Sequence, residues 1–384
     1  MKRTHRRSIL KTSGIALVGG TLSSSVSASS REVDAEEPPV RYYDIDGGIF
    51  VAAIGIKELL PEHIEQTRQK AVSEFVSRDD PGVMSSGGSE YLLLSSAEAS
   101  MTAESPTRSS LVGYSLQFEN GYPRERKFRI PSNASEEARQ RYIRDALSEL
   151  EQNIVTVDSG DVVDADPGWG DPLFFAVDEA DVGSGDEDEG IAFPFDYYGK
   201  FNGEFALYGG RETNEENQEY GCTIGCTQVP GSDMDNSNYD GSSYETECEI
   251  SPYGPSDLPT ITDWGPDEDN TTYIGNVSVD EISFGADAGG PYGEVTISPS
   301  STDVSAQYDE TNFADDGPIK TLYEIEGADE DTVQKLGNSA VFITDPDNTT
   351  ICDVSLTCAF SEGAGDWPNS ETLSENIRRW DLDE

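Results

Sequence analysis

Histidine is almost missing from this chain: there are two, His5 and His63, and the first lies in a basic N-terminal stretch. A Ser–His–Asp or Cys–His arrangement would have to use His63. No Gly-x-Ser-x-Gly elbow supplies a matching serine, and one chain with so little histidine builds no multi-histidine zinc site. Positive charge is scarce as well, with 25 Lys and Arg against 75 Asp and Glu and a net charge of −50. Such a chain has nothing to neutralise a run of phosphates, which excludes nucleic acid as a partner. Long apolar runs are absent. The best stretch, Gly14 to Leu22, is short and broken by Gly and Thr, well below the ~20 residues of a membrane span. No C-terminal span follows, and no cysteine stands behind that stretch to carry a lipid, so no transmembrane anchor is expected. Aromatic residues are plentiful, with 17 Tyr, 14 Phe and 4 Trp, and they argue against disorder over most of the length.

At the N-terminus, Arg6 and Arg7 lead directly into Ser8-Ile9-Leu10-Lys11, a weakly apolar segment follows, and Val26-Ser27-Ala28 offers small residues to a signal peptidase. Residues 1–28 resemble a twin-arginine (Tat) export signal, whose pattern is Arg-Arg, any residue, a large apolar residue, Leu and often Lys. The resemblance implies the Tat translocase as a partner during export and an extracellular or cell-surface location. Removing the five leader cations lowers the net charge from −50 to −55 and leaves six lysines, Lys57, Lys70, Lys127, Lys200, Lys320 and Lys335. Acid excess with scarce lysine resembles secreted proteins of extremely halophilic archaea. The repulsion reaches about 10 Å in 0.1 M salt and about 3 Å near 1 M, where the charge becomes tolerable.

Five cysteines remain: Cys222, Cys226, Cys248, Cys352 and Cys358. In an oxidising exterior, disulfides are the default. Several pairings are open, and proximity in sequence favours Cys352–Cys358 plus one bridge between Cys248 and the Cys222/Cys226 pair. The alternative is Zn²⁺ on Cys222-x3-Cys226, although no second tight pair follows.

Residues 29–39 read as a flexible lead-in. Residues 40–154 read as an α+β domain. It opens with a hairpin, Val40–Ile45 and Ile49–Ile54, and a helix from Pro61 to near Arg78 carries Ile64, Ala71, Val72 and Phe75 at helical spacing. Strand-like runs Tyr91–Ser95, Leu111–Phe118 and Arg126–Ile130 follow. A second helix after Pro131 has an apolar stripe through Tyr142, Ile143, Ala146, Leu147 and Leu150. This order suits two helices on one face of an antiparallel sheet. Composition then shifts: residues 31–154 hold 14 basic and 22 acidic residues, and 155–384 hold 6 and 53. Residues 155–190 read as an acidic linker or excursion. Residues 191–384, with many short β-like runs and turn signals, read as a mainly-β, sandwich-like, disulfide-bearing domain.

Chemistry is harder to locate. Asp233, Asp235 and Ser237 begin an EF-hand-like alternation of oxygen ligands, but Asn238 replaces the glycine and Tyr244 the closing glutamate. No cofactor is expected apart from Ca²⁺ at such a site. Asp345-Pro346-Asp347-Asn348 is a weaker cation candidate. Trp169, Trp264 and Trp367 sit among carboxylates, as a sugar platform would require. Asn133, Asn270, Asn276 and Asn348 begin glycosylation triplets. The missing catalytic motifs favour a non-catalytic secreted or cell-surface binding protein, with surface glycans or envelope proteins as partners. Alternatives are a secreted glycoside hydrolase using two carboxylates and a halocin-like antagonist released from the C-terminal part. Two outcomes are expected. Mass spectrometry of the exported chain finds an N-terminus near Ser29, and the thermal midpoint rises steadily from about 0.1 M to molar NaCl as screening shortens.

Overall fold

Alternation of inward and outward side chains, rather than long apolar runs, builds this protein. The computed structural model describes residues 39–79, 82–86, 89–96, 109–132, 134–151, 172–184, 196–214, 217–231, 241–254, 261–265, 282–284, 295–297, 304–308, 318–325, 334–361 and 368–382. The leader with Arg6 and Arg7, the EF-hand-like residues Asp233, Asp235 and Ser237, and Trp169 and Trp367 lie outside the described residues.

The first elements are β1 (Val40–Ile45), β2 (Gly48–Ala53), α1 (Pro61–Phe75), β3 (Met84–Ser86), β4 (Ser89–Ser95), β5 (Ser109–Glu119), β6 (Tyr122–Pro131) and α2 (Glu136–Glu151). There follow β7 (Phe174–Ser184), β8 (Asp196–Asn214), β9 (Asn217–Pro230), β10 (Ser242–Pro252), β11 (Ile261–Gly265) and β12 (Ile282–Phe284). The remaining strands are β13 (Val295–Ile297), β14 (Val304–Tyr308), β15 (Ile319–Ile325), β16 (Gln334–Thr344), β17 (Thr350–Ser361) and β18 (Asn369–Asp381). Nine strands form one sheet in the order β1-β2-β5-β6-β7-β8-β9-β16-β11, seven form a second in the order β14-β15-β10-β17-β18-β4-β3, and β12 pairs with β13. The expected hairpins are present: β1–β2 turns at Gly47 and β5–β6 at Asn120-Gly121, all three with positive φ, the conformation such tight turns require.

The two large sheets pack face to face, and the main core lies between them. From the nine-stranded sheet come Phe174, Phe201, Phe205, Ile224 and Phe342; from the seven-stranded sheet come Ile250, Tyr323, Val354, Leu356 and Phe360. The alternation is visible strand by strand, as in Ile319, Thr321, Tyr323 and Ile325 of β15, all inward. Two smaller cores hold the helices. Ile49, Val51 and Ala53 of β2 pack with Ile64 and Ala71 of α1, whereas Phe50 and Ala52 pack with Ile143, Ala146 and Leu150 of α2. Successive strand residues point to opposite faces, so the helices cover opposite faces of the sheet, not one face as their order in the chain suggested.

The division expected near residue 154 is not followed by the sheets. β4 pairs with β18, Ser95 opposite Ile377, and β6 pairs in parallel with β7, Arg124 opposite Phe175. The charge shift at that point is a property of the surface, and strand pairing follows inward alternation instead. The molecule is therefore mainly β, and both sheets draw strands from both sides of the expected boundary. His63 also differs from a surface residue: it is 9% exposed, and its Nδ1 accepts the Leu60 N–H at 3.0 Å, closing the start of α1.

Gly199 of β8 marks a close approach of the two sheets, since a Cβ there would collide with the Phe360 ring. Gly199→Ala is expected to lower the free energy of unfolding by about 1–3 kcal/mol in urea titrations. Adding Phe360→Leu should return part of that loss.

Candidate functional site

Among the described residues a polar cleft opens on the outer face of the seven-stranded sheet, above β10, β17 and β18. Its volume is about 550 Å³. The alternation that sends Val354, Leu356, Leu373 and Ile377 inward turns Asp353, Ser355, Ser374, Asn376 and Arg378 outward. β10 adds Glu249 and Ser251, and cross-strand register aligns Ser251 with Asp353, Asp353 with Asn376, and Glu249 with Ser355.

Asp353 is the centre of the cleft. Its Oδ2 accepts the Tyr253 hydroxyl at 2.7 Å, and its Oδ1 accepts the Asn376 amide. Each oxygen keeps a second lone pair for a ligand donor. Tyr253 is 44% exposed, and the bond to Asp353, with partial burial, raises its phenol pKa. The ring is held at the rim by the Asn348 side-chain amide on the Tyr253 carbonyl, 3.1 Å, and by Tyr253 N–H on Ile351 O, 2.9 Å. On the other side, Ser251 Oγ donates to Glu249 at 3.0 Å. The arrangement offers two carboxylates, several hydroxyls, an amide, one guanidinium and an aromatic edge.

On the inward side of β18, where Glu375 faces the other sheet, begins a ladder of buried ions. β6 contributes Glu125, Lys127 and Arg129, every second residue and all inward. Glu125 accepts Arg68 of α1 at 2.8 Å, the Tyr114 hydroxyl at 2.8 Å, the Ser95 hydroxyl at 2.8 Å and Ser95 N–H at 3.0 Å. Lys127 meets Glu375 of β18 at 2.6 Å and Asp178 of β7 at 4.0 Å. Arg129 forks onto Asp178 at 2.7 and 3.0 Å. Burial alone would raise the Glu125 pKa, but Arg68, Lys127 and Tyr114 outweigh it and hold the carboxyl below its usual range. At Glu375 burial prevails over Lys127, and the pKa is raised. Burial likewise drives the Tyr114 phenol well up. The side chains of Arg68, Glu125, Lys127, Asp178 and Glu375 are at or near zero exposure and only Arg129 reaches the edge, so the ladder is structural.

Of the described residues singled out by sequence, Asn348 supports Tyr253 beside the cleft and the others lie elsewhere. Trp264 lies on β11, an edge of the other sheet. Asp345, Asp347 and Asn348 form the turn between β16 and β17, where Asp345 accepts Asp347 N–H at 2.8 Å; the turn chemistry accounts for them. Among the described residues no group of three or more His, Cys, Asp or Glu side chains could hold a metal. All five cysteines are buried thiols. The Cys352–Cys358 bridge is corrected: both lie on β17 facing the same core, six residues or roughly 20 Å apart along the strand, with no turn between them. Zn²⁺ on Cys222 and Cys226 fails similarly, because four residues of extended β9 put them roughly 13 Å apart, beyond a shared ion with ~2.3 Å bonds. Cys248 lies across from Leu356 in the register of β10 and β17 and shares the core between the sheets with Cys226 of β9.

Comparisons give no family. No protein-family model matches the sequence, and no curated protein matches it. A solved structure titled "Pore forming protein" aligns over 54% of this chain and 89% of its own, with a TM-score of 0.25 and 7% identity. That similarity carries no functional argument. No helix among the described residues is long and apolar enough to cross a membrane.

One carboxyl between α2 and the nine-stranded sheet is set to titrate. Glu179 of β7 accepts the Tyr142 hydroxyl of α2. Burial, with Asp181 adding to it and Lys200, Arg126 and Arg129 opposing, raises its pKa from 4.5 to about 7. The folded state thus holds this proton more tightly than the unfolded chain. Its contribution to stability is complete below pH 4.5 and lost as pH rises through about 7, because the unfolded state then binds fewer protons. Glu179→Gln should remove this component: urea titrations across that window are expected to give a flatter profile than wild type, with the variant the more stable at the alkaline end.

Proposed function

We propose that this chain is an exported, salt-adapted surface or secreted protein that binds a polyhydroxylated ligand, such as an envelope glycan, without cleaving it. The observation that carries this reading is the cleft centred on Asp353. Its lining alternates carboxylate and amide groups with serine hydroxyls, at spacings set by strand register, and the exposed Tyr253 is tied to it through its bond to Asp353. Acceptor carboxylates and an adjacent ring are the groups that hold sugar hydroxyls and the apolar face of a sugar ring. The leader with Arg6 and Arg7 supports export through the Tat translocase, and the acidic composition supports a high-salt exterior.

Several features disfavour the other readings. Among the described residues the cleft lining holds no histidine, its carboxylates Asp353 and Glu249 are each held by hydrogen bonds from neighbouring side chains, and Trp264 lies on β11 of the other sheet. Release of a C-terminal antagonist would strip β18 from β4 and β7 from β6 and expose the Lys127–Glu375 pair. Separating one member of such a buried pair costs about 3–5 kcal/mol.

The test uses the mature protein in molar NaCl with a panel of soluble and insoluble polysaccharides, reading protein depletion and new reducing ends together. Depletion without new reducing ends is expected. Asp353→Ala and Tyr253→Ala should each weaken binding by about tenfold or more, the loss of one or two hydrogen bonds to a charged group, with little change in thermal midpoint. New reducing ends would make the protein a hydrolase. Absence of both signals would remove glycans and leave protein partners of the envelope.

A further inference from the structure

The five cysteines are not scattered through the core. Cys222 and Cys226 lie on β9 of the nine-stranded sheet, Cys352 and Cys358 on β17 of the seven-stranded sheet, and all four project into the space between. Across that space Cys226 Sγ touches Cys358 Sγ at 3.4 Å. Cys352 and Cys222 face one another across the same space, near enough for the Cys222 thiol to bear on that of Cys352. Four residues separate the two thiols on β9 and six separate the two on β17. Cys248, fully buried on β10, is left over. Thiols meeting in this way could be apolar packing, since free cysteine behaves as a small hydrophobe. Two such meetings, each joining one sheet to the other, are a more specific arrangement.

We infer that the sandwich is closed by two inter-sheet disulfides, Cys226–Cys358 and Cys222–Cys352, with Cys248 kept as the single thiol. A bond requires the sulfurs to approach to about 2.05 Å, so the Cys226–Cys358 contact must shorten by little more than an ångström. The chemistry is exchange with a small-molecule disulfide. One cysteine thiolate attacks a sulfur of that reagent and expels its first thiolate; the partner cysteine then attacks the mixed disulfide and expels the second. Per bridge, two cysteines lose two protons and two electrons, and the reagent leaves as two thiols. Burial raises the Cys226 and Cys352 thiol pKa values well above their ordinary position. Thiolate is therefore scarce in the closed sandwich, and the bridges form while the sheets are coming together. The Cys226–Cys358 link spans 132 residues, a long closed loop of the kind whose restriction most reduces the freedom of the unfolded chain.

The mature chain is refolded in molar NaCl with oxidised glutathione, denatured, alkylated without reduction, digested and analysed by mass spectrometry. The expected result is two cross-linked species, one joining the peptides of Cys226 and Cys358 and the other those of Cys222 and Cys352, with Cys248 alone alkylated. Five alkylated cysteines would overturn the inference, as would Cys352 linked to Cys358 or Cys248 in any bridge. Cys248→Ala provides a check that leaves both bridges in place: its oxidised form should have no alkylated cysteine, and any remaining thiol counts against the assignment. Reduction of the oxidised wild type should lower the thermal midpoint by roughly 5–15 °C, and an unchanged midpoint would show that no staple is present.

Discussion

The pairing of Lys127 with Glu375, inside a ladder that also joins Arg68 to Glu125 and Arg129 to Asp178, is the constraint on which the fold depends. These charges come from α1, β6, β7 and β18, elements lying far apart in sequence, and all are buried. An unpaired charge in that position costs several kcal/mol, so the sheets pack well only when every member has found its partner. Burying the ions adds little net stability compared with an apolar core of the same volume. What the ladder supplies is selection: strands shifted by one residue would turn Glu125, Lys127 and Arg129 away from their partners. The choice is notable in a chain with so few cations, since Arg68, Lys127 and Arg129 are used inside while the surface carries the acid excess.

The cleft is the outer consequence of the same alternation. Glu375 points inward to Lys127, its neighbours Ser374 and Asn376 point outward, and Asn376 holds Asp353 from the next strand. The geometry of the candidate site is thereby tied to the register of β17 and β18, which the core ladder and the Cys352 to Phe360 row determine from below. A rigid sheet holds side chains more accurately than a loop does. The rim is different in kind, because Tyr253 lies just past the end of β10 and depends on the β16–β17 turn through Asn348.

Legibility in the sequence varied for identifiable reasons. Both helices were readable because Ile64 and Ala71, and Tyr142, Ile143, Ala146 and Leu150, repeat at helical spacing beside plausible starts. β18 was not readable: its inward positions include Glu371 and Glu375, so the stretch looks polar throughout and the period of two is hidden. β10 has the opposite difficulty, since its outward row Glu245, Glu247 and Glu249 outweighs Thr246, Cys248 and Ile250 in any average. Asp353 could have been noticed from Cys352-Asp353-Val354-Ser355-Leu356-Thr357-Cys358, where strict alternation places it outward. Its importance comes from Tyr253 and Asn376, and no local pattern links those three. The cysteines show the same limit, because nearness in sequence suggested a bridge that an extended strand forbids.

The sequence by itself determined the acid excess, the scarcity of histidine, the two helices and several hairpins. Each of these is local or compositional, resting on helical period, turn residues or simple counts. Only the tertiary structure decided that the segments on either side of residue 154 share both sheets, that α1 and α2 lie on opposite faces, that cysteines meet across the sandwich, and that Asp353 centres a cleft. Those are pairings between strands distant in the chain. They are settled by which buried charges and side-chain volumes match once the sheets are brought together, and that match has no signature within any one segment.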